Sequence, residues 1–345
     1  MTAPAGPVGS VGVALVGAGR MGAFHAETLA RRLPGAAHLV AVADPAPGAA
    51  ERLVGRLGTG RPCTDLAELW AAADVEAVVI ATPARTHADL VVAASRAGKA
   101  VFCEKPMAVT LPDADRAMDA ARSAGVVLQV GFNRRFAADW LAARALLDDG
   151  TLGVPRLLRS LTRDPGGFDP ARVLPDTIFL ETLIHDFDTL RFLNPGAEVV
   201  EVSATADALV ERAWADRGLL DTAVVTVRFG NGAIAVAEAT FEAAYGYDVR
   251  GEVLGSGGMA TMGDGRRSGL TFSGAAGRLV ETVRGDQELF ADAYTAELAA
   301  FVEAVRARSA PLVTGQDARA ALAIALAAAE SVRAGRPVRL EDVEK

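Results

Sequence analysis

The feature that most constrains this chain is a six-residue apolar run, Val11–Val16, leading straight into Gly17-Ala-Gly-Arg-Met-Gly22 and then into a helical pattern closed by Pro34. Buried strand, glycine turn and helix in that order have a mechanical reading. Gly17 permits the tight turn, Gly19 lets the backbone approach a pyrophosphate, and Gly22 allows the helix to pack closely on the strand. The phosphates then lie on the helix N-terminus, beside Arg20 and Met21. A glycine-rich turn alone is weak evidence. Here a second apolar run, His38–Ala43, ends in Asp44, near the offset of roughly 20 residues expected for a ribose-binding carboxylate. The pattern therefore reads as a dinucleotide site. Asp44 is followed by Pro45-Ala-Pro47 and not by a basic residue, and a carboxylate there repels a 2′-phosphate. NAD is expected in preference to NADP.

The alternation of helix and strand continues. Helices are expected near Ala49–Leu57 and from Asp65 to Ala73, then a strand Ala77–Ala81 that stops at Thr82-Pro83. The helix His87–Ala97 leads into the strand Ala100–Cys103, and the helix Asp113–Ser123 into Val126–Val130. In a doubly wound parallel sheet the carboxyl ends of the strands line the ligand crevice, which puts Thr82, Pro83 and His87 at the edge of the cofactor. His87 has a second reading, as a cap of its own helix. This α/β reading gives a Rossmann-type domain over residues 1–131, with 1–10 a loose tail. Residues 132–345 form an α+β domain with a large, mostly antiparallel open sheet.

In that second part the period changes. A helix is expected at Ala138–Leu147 and a strand at Pro155–Thr162, followed by a Gly- and Pro-rich loop, Arg163–Pro175, able to cover a pocket. Val199–Ala206, Thr222–Phe229, Ala233–Phe241 and Val249–Leu254 alternate apolar and polar residues as half-buried strands do, with Gly230-Asn-Gly232 a hairpin turn. The chain closes with helices over Tyr294–Arg306 and Ala318–Arg333.

Composition excludes several classes. The 345 residues are 51% hydrophobic, ample for two cores, and the net charge of −8 argues against an extended nucleic-acid surface. Cys63 and Cys103 form neither a disulfide framework nor a metal motif, which fits a reducing cytoplasm and no metal. The first ten residues lack the pattern of a signal peptide, and no apolar run reaches the roughly 20 residues of a membrane span.

Two places carry chemistry. In the stretch Thr177–Arg191, at about 100° per residue, Leu180, Leu183, Ile184, Phe187 and Leu190 share one helix face. Glu181, His185 and Asp188 line its edge at i, i+4, i+7. Taken alone, that edge reads equally as a solvated ion pair. Lys105 follows a buried strand on the crevice side, where Pro106 fixes the turn, and its ammonium can reach an alkoxide.

The glycine turn followed by His25-Ala-Glu27, then Asp44, Thr82-Pro83, Glu104-Lys105-Pro106 and Ile184-His-Asp-Phe-Asp188, resemble the Gfo/Idh/MocA oxidoreductase family. Within it they are most similar to the inositol 2-dehydrogenase branch. The resemblance runs from about Val11 to about Arg333. It implies NAD-dependent oxidation of a secondary alcohol on a cyclic polyol, myo-inositol or a related inositol, to the inosose. His185 is then the general base, a role for which histidine is suited near neutral pH. Lys105 steadies the alkoxide, Glu181 orients the imidazole, and Glu104 and Lys105 join the cofactor site. Gly131-Phe-Asn-Arg-Arg-Phe136 is similar to a segment beside the substrate, which nominates Asn133 and Arg134. Ala244-Tyr-Gly-Tyr-Asp248 nominates Tyr245, with Tyr247 the alternative. Thr182 and Asp188 suit a ring of hydroxyls. The family also implies a homotetramer or homodimer, with the open sheet face as a subunit interface. A sugar or aminocyclitol dehydrogenase or ketoreductase is the alternative, ahead of an NAD-recycling glycosidase or a non-catalytic sensor. One departure stands out: inositol dehydrogenases usually carry aspartate four residues before the histidine, and this chain has Glu181, whose extra methylene extends the carboxylate by about 1.5 Å.

Overall fold

The computed structural model describes residues 9–167, 171 and 173–344. The tail residues 1–8, and residues 168–170 and 172 of the expected loop after Arg163, lie outside them. The chain divides into two compact units, Met1–Asn133 with Asp292–Arg319, and Arg134–Ala291 with Ala320–Lys345. The first boundary falls next to the expected one at Gly131. The return of 292–319 to the first unit does not follow from the sequence reading. Its cause is packing: in the helix Ala291–Ala307, Leu298, Phe301 and Val302 belong to the same core as Leu15, Val79 and Phe102.

The first unit contains strands β1 (Val11–Val16), β2 (Ala37–Ala43), β3 (Arg61–Cys63), β4 (Ala77–Ile80), β5 (Ala100–Glu104) and β6 (Leu128–Gly131), all parallel, in the order β3-β2-β1-β4-β5-β6. Every residue of β1, β4, β5 and β6 is buried, as strands covered on both faces must be. The helices are α1 (Arg20–Arg31), α2 (Ala49–Leu57), α3 (Leu66–Ala71), α4 (His87–Arg96) and α5 (Leu111–Ala124). α5 starts two residues before its expected Asp113 because Thr110 is the cap, its hydroxyl accepting the Asp113 N–H, with Pro112 in the first turn. The strand order reverses between β1 and β4. In such sheets that switch point opens the ligand crevice at the strand carboxyl ends, where Gly17 and Thr82 stand.

The second unit opens with helix α6 (Ala138–Asp148) and strand β7 (Pro155–Arg163), and later carries helix α7 (Ile184–Phe192). Strands β8 (Val199–Asp207), β9 (Thr222–Phe229), β10 (Ile234–Thr240), β11 (Asp248–Gly255) and β12 (Met259–Met262) follow. A separate hairpin, β13 (Arg266–Gly274) with β14 (Gly277–Thr282), and the short β15 (Val338–Arg339) complete the strands. The main sheet runs β12-β11-β7-β10-β9-β8-β15, with β7 and β10 parallel and the other pairs antiparallel. Burial alternates along β9 and β11, so one face is covered and the other open. On the open face Ile234, Leu157 and Leu254 form a row across β10, β7 and β11, exposed by 46%, 43% and 39%. Among the described residues no helix is long and apolar enough to cross a membrane, and Cys63 and Cys103 are free and buried.

The helical stretch around His185 differs from the expected continuous α-helix. Ile178–Leu183 is a π-helical turn, and α7 begins only at Ile184. Bonding to the fifth residue turns the chain by less than an α-helical step per residue, so the apolar stripe changes phase at the junction. Ile178 and Phe179 are buried where Leu180, half-buried, was expected, whereas Leu183, Ile184, Phe187 and Leu190 are buried as expected. Such turns occur frequently at functional sites.

Candidate active site

At the switch point of the first unit the glycine turn has the geometry its spacing calls for. Gly17 has φ +99°, and its N–H donates to the Ala43 carbonyl at 2.8 Å, tying the turn to the end of β2. A Cβ on Gly22 would overlap the Gly17 carbonyl oxygen, so α1 can approach β1 only with glycine there. A Cβ on Gly19 would meet no atom within 4 Å. The backbone at Gly19, at the N-terminus of α1, thus faces open space, with Arg20 exposed and Met21 half-buried beside it. These residues fit a pyrophosphate. Asp44 does more than the motif suggests: its Oδ2 accepts the Ala18 N–H at 2.7 Å and its Oδ1 the Ala46 N–H at 2.8 Å. The carboxylate locks the glycine turn to the β2 loop, and each oxygen retains acceptor capacity for a ribose hydroxyl.

Thr82 and Pro83 follow β4 at the crevice rim, the Thr82 and Thr86 hydroxyls 2.7 Å apart. His87 is corrected. It is 1% exposed, with Nε2 at 2.7 Å from the Thr82 carbonyl and Nδ1 at 2.8 Å from the Pro106 carbonyl, and its side chain caps no helix. It is a brace between two loops, engaged at both nitrogens. One of those loops carries Lys105, half-buried at the carboxyl end of β5. Glu104 is buried, its Oε1 2.6 Å from His25 Nε2 and its Oε2 accepting the Lys105 backbone N–H at 3.2 Å. It supports the lysine from within. Asn133, at the end of the first unit's opening segment, is 2% exposed.

In the second unit, His185 stands half-buried in the first turn of α7, directly after the π turn, with Glu181 exposed and Thr182 half-buried in that turn. Arg134 is not a surface residue awaiting substrate. It is 2% exposed, donating from Nη1 to Asp186 Oδ1 at 2.7 Å and from Nη2 to the Thr162 hydroxyl at 2.6 Å. Asp186 also accepts from Ser160 Oγ at 2.6 Å and Thr162 Oγ1 at 2.7 Å, which pins α7 to β7. Asp188 is 1% exposed and gripped by Arg135, through Nε at 2.8 Å and Nη2 at 2.6 Å. The guanidinium of Arg135 lies 5.3 Å above the centre of the Phe192 ring. Sequence reasoning missed Arg135. The signal was present, since two adjacent arginines face two aspartates, Asp186 and Asp188, that both stand in α7.

The tyrosine choice also changes. Tyr245 is 48% exposed, its hydroxyl donating to Asp248 Oδ2 at 2.7 Å and accepting from Arg163 at 3.4 Å. Tyr247 is half-buried. Burial, then the charge of Asp164, push its phenol well up, against the pull of Arg134. Tyr247 is therefore a neutral donor at neutral pH, close to the Arg134–Asp186 network, and the better candidate for a substrate hydroxyl.

The switch-point glycines and Asp44 define a dinucleotide-binding enzyme fold. A family model described as the oxidoreductase family, NAD-binding Rossmann fold, matches residues 11–132, and the GFO/IDH/MocA C-terminal domain matches residues 140–261. The chain belongs to the Gfo/Idh/MocA oxidoreductase family, and it is an oxidoreductase. It is similar to scyllo-inositol 2-dehydrogenase (NAD(+)) of Bacillus subtilis, at 36% identity covering 95% of this chain and 96% of that one. To myo-inositol 2-dehydrogenase of Thermotoga maritima the identity is 36%, covering 96% and 99%. The structure of scyllo-inositol dehydrogenase from Lactobacillus casei with bound NAD(H) and scyllo-inositol superposes with a TM-score of 0.91 at 27% identity, covering 96% and 99%.

Proposed function

We propose that this protein oxidises one ring hydroxyl of an inositol to the ketone, with NAD as the acceptor. The observation that carries the reading is the similarity, over 95% of the chain, to a dehydrogenase named for scyllo-inositol and NAD(+). The chemistry of the residues in each unit supports it. Bound NAD supplies the hydride acceptor at the switch point. His185 takes the hydroxyl proton, Lys105 hydrogen-bonds the same oxygen and steadies its developing charge, and Glu181 orients the imidazole or meets a neighbouring hydroxyl. Asn133, Thr182 and Tyr247 are neutral hydrogen-bonding groups suited to an uncharged polyol, and the arginines Arg134 and Arg135 are already neutralised by Asp186 and Asp188. An anionic sugar therefore finds less to bind. A donor or acceptor left unpaired by the wrong epimer costs about 1–3 kcal/mol, enough to separate inositol isomers. The negative Asp44 at the end of β2 favours NAD over NADP. The open apolar row of Ile234, Leu157 and Leu254 supports assembly into a homo-oligomer through the sheet face.

An initial-rate screen of inositols, aldoses and their keto forms against NAD and NADP tests the proposal. The expected result is NAD-dependent turnover of at least one free inositol. Inactivity on every free cyclitol would move the assignment to a sugar or aminocyclitol substrate, and activity with NADP alone would remove the role given to Asp44.

A further inference from the structure

A cluster of buried ionisable groups in the first unit has no part in the chemistry above. Glu297, in the helix Ala291–Ala307, is 0% exposed, and neither carboxylate oxygen has a hydrogen-bond partner among the described residues. Its neighbours are His25 of α1 and Glu104 at the end of β5, with one polar atom from each of the three within 4.8 Å of the others. His25 is itself 0% exposed and closed in by the rings of Phe24, Phe102 and Tyr294. From β6, Gln129 donates to the Glu297 backbone carbonyl at 2.8 Å. Lys105 and His87 are the other titratable groups that bear on Glu104.

Three such ligands could in principle hold a divalent cation. The 2.6 Å contact between His25 Nε2 and Glu104 Oε1 argues against it, because it is a direct hydrogen bond. Two ligands each about 2.0–2.2 Å from one ion stand farther apart than that. A proton fits better. Two carboxylates this close in a buried core are not both ionised, and Glu104 holds two hydrogen-bond donors while Glu297 holds none. Gln129 Oε1 is buried and also without a partner, and a protonated Glu297 brings an O–H donor into this cluster.

We infer that Glu297 is carried as a neutral acid and is a positioning residue: its proton confines the cluster's charge to Glu104, the carboxylate that holds the Lys105 backbone. The electrostatics agree. Burial, then the charge of Glu104, hold the Glu297 carboxyl well above the usual carboxylate range. Burial also pushes Glu104 up, but the hydrogen bond and charge of His25, with Lys105 and His87, outweigh it and leave Glu104 below its ordinary value.

Only the consequence for turnover rests on the proposed role of Lys105; the protonation does not. An acid whose folded pKa is raised contributes stability that is fully present below its unfolded pKa of about 4.3 and is lost as pH rises towards the folded value. Glutamine has no such proton. The Tm of Glu297→Gln relative to the parent should therefore increase steadily between pH 5 and pH 8, and the infrared carbonyl stretch of a protonated carboxylic acid should be present in the parent and missing from the variant. A Tm difference that stays flat from pH 5 to pH 8 means that Glu297 is ionised in the folded protein across that range and overturns the inference. One equivalent of divalent metal in the parent but not in Glu297→Gln overturns it as well. In turnover, Glu297→Ala should lower kcat at least tenfold with KM for NAD kept, and glutamine should restore it; equal losses in both variants contradict the positioning role. A wrong substrate assignment leaves the thermal and infrared results unchanged, so the two failures are distinguishable.

Discussion

His185→Ala is expected to lower kcat by roughly 10²–10⁴, equivalent to about 3–5 kcal/mol of transition-state stabilisation. NAD affinity should change little. The reason lies in the division of labour: the glycine turn, Asp44 and the Thr82 loop belong to the first unit, whereas His185 stands on α7 of the second. A base that acts only on the hydroxyl proton affects the reacting step more than the binding of the cofactor. Initial rates at saturating substrate, together with NAD titration by fluorescence, check this. Collapse of NAD affinity with turnover of the bound complex intact would make His185 a structural residue.

Asp186→Ala is expected to destabilise the protein by about 3–5 kcal/mol, because it strands a buried guanidinium without its counter-charge. Asp186 is 0% exposed and accepts from Arg134, Ser160 and Thr162 at once. Its removal also leaves two buried hydroxyls short of an acceptor. Against a typical total of about 5–15 kcal/mol the loss is large, and thermal unfolding should shift down by roughly 10 °C. Replacing Arg134 and Asp186 together by apolar residues of similar volume should recover much of it, since an isosteric apolar pair avoids the desolvation cost. A single-variant loss below about 1 kcal/mol would mean that Asp186 does not fix α7. The network has a functional consequence. By tying α7 to β7 it sets the rotation of that helix about its axis, and hence where the neighbouring His185 points.

The first unit was legible because parallel strands buried on both faces carry unbroken apolar runs, as β1 and β4 do. The hairpin β13–β14 gave no such signal, since nearly every residue in it is exposed and no alternation of burial exists to be seen. Helix Ala291–Ala307 was visible as a helix, but periodicity reports an apolar face and not the core that receives it. At the candidate site, the motifs nominate Lys105 and His185. The choices between Arg134 and Arg135, and between Tyr245 and Tyr247, could not, because each depends on which way one short turn presents adjacent side chains. Gly246, at φ +134°, separates the two tyrosines and turns the chain there, leaving one exposed and one half-buried. The π turn before His185 was equally hidden, since an extra residue per turn leaves composition unchanged.

The central claim is that a hydrogen on a ring carbon of a cyclitol passes to NAD. The most direct measurement supplies an inositol deuterated at the carbon to be oxidised and follows the label by mass spectrometry. The account predicts NADH carrying one deuterium, formed in equal amount with the ketone. Unlabelled NADH, or cleavage of an aryl glycoside with no net NADH, would contradict it.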